Sequence, residues 1–219
     1  MLSDVPYDPV ADFTPIANVS VAQRLLVANK DMPFKTFEEF VAYGKAHPGE
    51  MNYGSVGVGS TGHVATVDLL RAVGVEAMHI PYKGASDVVQ AVLTGDIQFM
   101  LDAAAAAQVR QDTVTPLAVG GDTPKAEFPD IPTYADLGVD ALSGTGWQMV
   151  MGPAGMPQEV VDQLIGALDE ALKSPELLEK MDKLGLTARF IPGEELASAL
   201  ADESTKMDKI LSDMGMKKK

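Results

Sequence analysis

The 219-residue chain reads as an α/β protein with a largely parallel sheet. Short apolar runs alternate with helix-period segments, and glycine or proline stands at most of the junctions. With 46% hydrophobic residues the chain is long enough to bury one or two cores. The elements follow in order. Phe13 to Val19 and Arg24 to Ala28 read as strands, and Lys35 to His47 as a helix stopped by Pro48 and Gly49. Met51 to Val56 is a strand, and Ser60 to Val73 a helix that ends at Gly74, where a left-handed residue is expected. Ala77 to Pro81 is a strand and Ala85 to Leu93 an amphipathic helix stopped at Gly95. Ile97 to Asp102 is a strand, Ala103 to Gln111 a short helix, and Val114 to Val119 a strand entering the loop Gly120 to Gly138. Trp147 to Gly152 is a strand. Pro157 to Lys173 is a helix whose proline suits the first turn, with Val160, Val161, Leu164, Ile165, Leu168 and Leu172 at helical spacing. A helix at Leu177 to Lys183, a strand at Thr187 to Ile191 and a helix from Glu194 to Met214 complete the order. This last part reads as scaffold.

The segment Met51 to Leu70, MNYGSVGVGSTGHVATVDLL, carries the chemistry. A strand runs into Gly57, Gly59 and Gly62, which give the backbone freedom and let a ligand approach, and Ser60 or Thr61 can cap the helix that follows. The free amides at that helix start suit a carboxylate or a phosphate. GVGSTG also fits the dinucleotide fingerprint GxGxxG, which wants an acidic residue about 20 residues on to hold the ribose hydroxyls. Tyr82 and Lys83 stand there instead. NAD is therefore disfavoured, and a Rossmann-like enzyme binding NADP is the alternative to a small-anion site.

Composition narrows the classes further. The net charge of −14 argues against nucleic acid, since the 17 Lys and Arg residues cluster only at Lys217, Lys218 and Lys219, a solvated tail. It does not argue against an anionic ligand, because global charge is screened over about 8 to 10 Å while helix-end amides act at contact distance. The chain has no cysteine, which excludes disulfides and thiolate metal sites. No apolar run reaches the length of a membrane span, and MLSDVPYDPV does not read as an export signal.

Single residues have two readings each. His63 could meet a ligand or a metal, or support the turn from behind; no second ligand stands at metal spacing. Tyr82, at a strand end on the edge of the glycine turn, could reach the same crevice or pack against the next helix. Asp102 could accept from a ligand ammonium or cap the helix from Ala103. Trp147 could line a cleft or fill a core, and the 12 methionines read as core fillers. Ser60 has no His and Asp at a spacing that supports nucleophilic catalysis, and a GxSxG elbow is absent. Glu38 and Glu39 read as solvation of a helix face.

Four segments recur together in one known family: VPYDPVADFTPI (Val5 to Ile16), NYGSVGVGSTGH (Asn52 to His63), IPYKGASD (Ile80 to Asp87) and PDIPTYADLG (Pro129 to Gly138). The chain resembles the tripartite tricarboxylate transporter substrate-binding proteins, the Bug or TctC-type extracytoplasmic solute receptors. The resemblance implies a type II periplasmic-binding-protein-like clam-shell of two lobes, a periplasmic location, no cofactor, no catalysis and a membrane transporter as partner. The ligand it implies is a small organic anion: a di- or tricarboxylate, an aromatic carboxylate or an acidic amino acid. Ser55, Gly59, Ser60, Thr61, Gly62, His63, Tyr82 and Asp102 are the expected ligand-binding residues. Family members carry a signal peptide, a strand and a helix pair ahead of the YDPVxDFTPI segment, where this chain starts. The expected organisation is therefore residues 1–22 as a remnant of lobe 1 and crossover, 23–120 as lobe 2, and 121–219 as the return to lobe 1. An incomplete first lobe would favour self-association.

Overall fold

The computed structural model describes residues 6–8, 11–122, 124–141, 146–183 and 186–215. Part of the Val5 to Ile16 segment and the lysines at 217–219 lie outside the described residues. Two units result, one of Gln23–Thr145 and one of Met1–Ala22 with Gly146–Lys219.

In the Gln23–Thr145 unit the period-2 alternation of strands decides the layering. Strand β2 (Leu25–Asn29) is buried along its whole length. Its Leu26 and Ala28 join a core with Phe34, Phe37 and Phe40 of helix α1 (Phe37–Ala46) and with Ala65, Leu69 and Leu70 of α2 (Thr61–Val73). Leu25 and Val27 face the opposite core, with Val88, Ala91 and Val92 of α3 (Ala85–Thr94) and Ala106 of α4 (Ala106–Arg110). A sheet apolar on both faces and sandwiched by helices follows.

The strands of this sheet are β3 (Met51–Ser55), β4 (Ala77–Pro81), β5 (Phe99–Asp102) and β6 (Val114–Val119) beside β2, in the order β4-β3-β5-β2-β6. β3 runs parallel to β4 and β5, while β2 is antiparallel to both β5 and β6. Four strands thus share one direction and β2 opposes them. The ends Ser55, Pro81, Asp102 and Val119 and the start of β2 all lie along one edge.

Local signals terminate the helices where expected. Thr36 and Glu39 form a reciprocal capping box on α1, so Glu39 closes the helix start and is no mere solvating charge. Gly74 ends α2 in the left-handed conformation at φ 68°. The helix expected over Ala103 to Gln111 is a 3-10 turn (Ala103–Ala105) leading into α4.

One expected boundary moves. The resemblance puts residues 121–219 in the C-terminal return, yet the unit that begins at Gln23 extends to Thr145. Val119 N–H donates to Pro132 O at 2.8 Å, Tyr134 N–H to Val119 O at 3.0 Å, and the Tyr134 ring is buried in the α1/α2 core. The apolar ring holds the segment here, a tertiary contact that spacing does not announce.

The other unit is antiparallel, unlike the largely parallel sheet expected. Strand β1 (Phe13–Ala22) lies between β7 (Gly146–Pro153) and β8 (Thr187–Pro192). Helix α7 (Gly193–Asp213) packs on β1 so closely that a Cβ on Gly193 would stand 2.6 Å from Pro15 O. Asn18 Nδ2 donates to Arg189 O at 2.7 Å, tying β1 to β8 from within. Helices α5 (Gln158–Ala171) and α6 (Pro175–Lys183) complete the unit, and Trp147 stands half-buried in β7.

Candidate functional site

The β3–α2 connection, Val56 to Ser60, sits at the edge where the co-directional strands end, the place where open α/β sheets receive ligands. Gly57 and Gly59 take φ of 127° and 76°, which only glycine adopts without strain. Ser60 caps α2: its Oγ accepts from His63 N–H at 3.2 Å. The amides of Thr61 and Gly62, the first two of the helix, have no carbonyl a turn earlier and carry the positive end of the helix dipole. A Cβ on Gly62 would lie 3.7 Å from Leu101 O and 3.9 Å from Asp102 Oδ2, so this first turn rests against the end of β5.

Beneath the turn lies a polar network. Ser55 Oγ donates to Gly57 O at 3.0 Å, stands 2.7 Å from His79 Nε2, and receives the Ser60 hydroxyl at 3.3 Å. Gly59 N–H donates to His63 Nδ1 at 2.9 Å. The His63 and His79 rings stack with centroids 3.7 Å apart and 13° between planes, and Tyr53 covers His79 at 5.0 Å. Burial lowers the His63 pKa. Burial and the charge of a protonated His63 lower His79 to about 4, and burial pushes the Tyr53 hydroxyl up to about 12. The rings meet face to face, so their nitrogen lone pairs do not converge as metal ligands must.

The expected site residues divide into four groups. Gly59, Ser60, Thr61 and Gly62 form the turn and the helix start, and Thr61 is exposed. Ser55 and His63 are also there but face inward: both are buried, with Ser55 Oγ and His63 Nδ1 engaged in the network. Asp102 does cap, its Oδ1 accepting from Ala104 N–H at 2.9 Å, while Oδ2 faces the first turn of α2. Tyr82 does not join them. Its ring lies over Gly54, with Cε2 3.2 Å from where a Cβ would be, among the residues packed on the α3 core. Burial and then the charge of Asp96 raise its hydroxyl pKa, and Asp96 precedes β5 whereas Asp102 ends it. Gly54 leaves the space that takes the ring away from the crevice.

Arg24 is the residue that sequence reading missed. Its Nη2 donates to Thr61 Oγ1 at 2.8 Å, bringing a cation to the helix start. It was read as the first residue of a strand, and β2 begins one residue later. The reversed direction of β2 is what carries Arg24 to this edge, and nothing in local spacing signals a reversal.

The chain has a periplasmic-binding-protein-like fold. It aligns with a TctC solute-binding protein from Polaromonas at TM-score 0.83 and 26% identity, covering 92% of this chain and 70% of that one. The chain belongs to the tripartite tricarboxylate transporter family of receptors, whose model matches residues 1–216. A UPF0065 protein from the gbd 5′ region of Cupriavidus necator is 32% identical over 215 residues, 98% of this chain. BugT of Bordetella pertussis is 26% identical over 223 residues, covering 100% of this chain and 68% of BugT. The chain spans 65% of the length of the Cupriavidus relative. Two further similar structures are a Rhodopseudomonas palustris protein with adipate (26% identity, TM-score 0.77, covering 97% of this chain and 72% of that one) and R. palustris MatC with bound malate (26%, 0.70, 95% and 73%). The NADP-enzyme alternative finds no support in these relatives.

Proposed function

We propose that this chain is the ligand-binding part of a periplasmic solute receptor that seats one carboxylate of a small organic acid on the Thr61 and Gly62 amides and the Thr61 hydroxyl. The loaded receptor then delivers its ligand to a tripartite membrane transporter, without catalysis. The observation that carries this reading is the paired free amides at the start of α2, with the Arg24 guanidinium on Thr61. Each charge-assisted hydrogen bond contributes about 1.5 to 3 kcal/mol. The adipate and malate in similar structures point to the same ligand chemistry.

Asp102 narrows the class. A carboxylate facing the seat of another carboxylate repels it, unless the ligand offers a donor between them. Asp102 Oδ2, beside Gly62, would accept from a hydroxyl or ammonium next to the bound carboxylate, which favours hydroxy acids and amino acids over plain dicarboxylates. Exposed Val56 and Val58 flank the turn and suit a short aliphatic body.

Calorimetry against malate, succinate, aspartate, adipate and NADP tests the reading. Malate or aspartate should bind more tightly than succinate, and Asp102→Asn should narrow that gap. Saturable binding of NADP with none of the carboxylates would overturn it.

A further inference from the structure

The stacked imidazole pair, His63 buried and His79 half-buried, has a proton inventory that can be closed. The Ser55 hydroxyl has one hydrogen, which Gly57 O receives, and two lone pairs, which the Ser60 hydroxyl and His79 Nε2–H fill. His79 therefore carries its proton on Nε2. His63 Nδ1 accepts from Gly59 N–H, so this ring too is neutral with its proton on Nε2. Each ring holds one point of the glycine turn: His63 holds Gly59, and His79 holds Ser55, on which the Ser60 cap rests.

We infer that the stacked His63 and His79 are positioning residues for the carboxylate seat: as neutral imidazoles they fix the Gly59 turn and the Ser60 cap, and a proton gained by the pair releases the turn and lowers ligand affinity. The inference rests on the proposed carboxylate seat at Thr61 and Gly62. A proton on His63 Nδ1 would face the Gly59 N–H donor to donor, and the bond could not survive. Two stacked imidazolium rings would also repel at 3.7 Å.

The groups that face the rings are few. Tyr53 of β3 lies on His79 and stays neutral, since burial raises its hydroxyl. Ser55 and Ser60 contribute hydroxyls, and each imidazole faces the other. Phe99 of β5 stacks behind Tyr53. Three charges stand along this edge: Arg24 at Thr61, Asp102 beside Gly62, and Lys83 just after β4. Protonation would place positive charge near a bound anion and raise affinity if charge alone mattered. Loss of the turn acts in the opposite direction, so the sign of the pH effect separates positioning from attraction.

The test has a ligand-free arm and a ligand arm. In the ligand-free protein, the Gly59 amide resonance should titrate together with the His63 and His79 ring signals, at a midpoint below the usual histidine value. His63→Asn, whose Oδ1 can accept in place of Nδ1, should abolish the Gly59 titration while keeping the amide near its neutral-pH shift. With malate as probe, wild type should lose about tenfold more affinity than His63→Asn between about pH 7.5 and about pH 4.5, the scale of one hydrogen bond. Comparison within one probe cancels protonation of malate itself. His63→Leu, checked for folding by thermal unfolding, should bind malate about tenfold more weakly at both pH values. A Gly59 amide indifferent to pH, or affinity that rises on acidification beyond that of His63→Asn, overturns the inference. Should Gly59 titrate as expected while no carboxylate binds any variant, the seat reading fails and the structural hold of the pair stands.

Discussion

Two strand-to-helix connections leave the same sheet edge side by side, and only one rests on a polar framework. The β3–α2 turn has two glycines at positive φ, a serine cap and a polar network of two hydroxyls and two imidazoles, of which Ser55 and His63 are buried. Its neighbour, β4–α3, passes through Tyr82, Lys83 and Gly84, and Gly84 caps α3 with an extended φ of −162° and no side-chain bond. Both present a helix start at the edge. What separates them is the support below: in one, buried polar groups hold the turn in place; in the other, the Tyr82 ring fills the space over Gly54. A helix dipole is common, and the framework that aims it is not.

The largest break in this contrast should come from Gly59→Val. A β-branched residue at φ 76° is strained by about 1 to 3 kcal/mol, so thermal unfolding should show that loss and calorimetry should show carboxylate binding abolished. Thr61→Ala removes a hydroxyl at the seat and should weaken malate binding by about 1.5 kcal/mol, with stability little changed. Arg24→Met should weaken it as well and flatten its dependence on salt, which a calorimetric series in sodium chloride would read. Ser60→Ala removes the cap and should lower unfolding stability by about 1 kcal/mol in urea titrations.

A further effect belongs to pH. The unfolded histidine takes its proton near 6.5 while folded His79 waits until about 4, so the unfolded state binds more protons between these values. Stability should be intact above about 6.5 and should fall as pH drops toward about 4. His79→Gln should remove part of that slope in melting curves. Smallest of all is Gly84→Ala on the neighbouring turn. With extended backbone and nothing within 4 Å of the added methyl, it should leave binding unchanged and stability within about 0.5 kcal/mol.

Most of the fold could be read from sequence because its signals are local. The strand Ala77–Pro81 matches the expected bounds, and the α2 start at Ser60 and stop at Gly74 follow from capping chemistry. Strand alternation and helix period also mark Val114–Val119 and the long C-terminal helices. The glycine turn was legible, but the framework beneath it was not. His79 sits 16 positions beyond His63 in sequence, and only the pairing of β4 with β3 brings its ring onto the first. Tyr82 follows β4 at the expected edge, but the direction of its side chain depends on the missing Cβ of Gly54. Arg24 depended on strand order, which is settled by the whole sheet.

Val58 stands at the crown of the glycine turn with 61% of its surface exposed, clear of the hydrogen bonds below it. Since the chain contains no cysteine, Val58→Cys would create its single thiol. A solvatochromic dye coupled there would sit beside the proposed carboxylate seat while the Ser55, Ser60 and histidine contacts stayed as they are. The receptor would then serve as an optical sensor, with emission reporting occupancy continuously at one labelled atom.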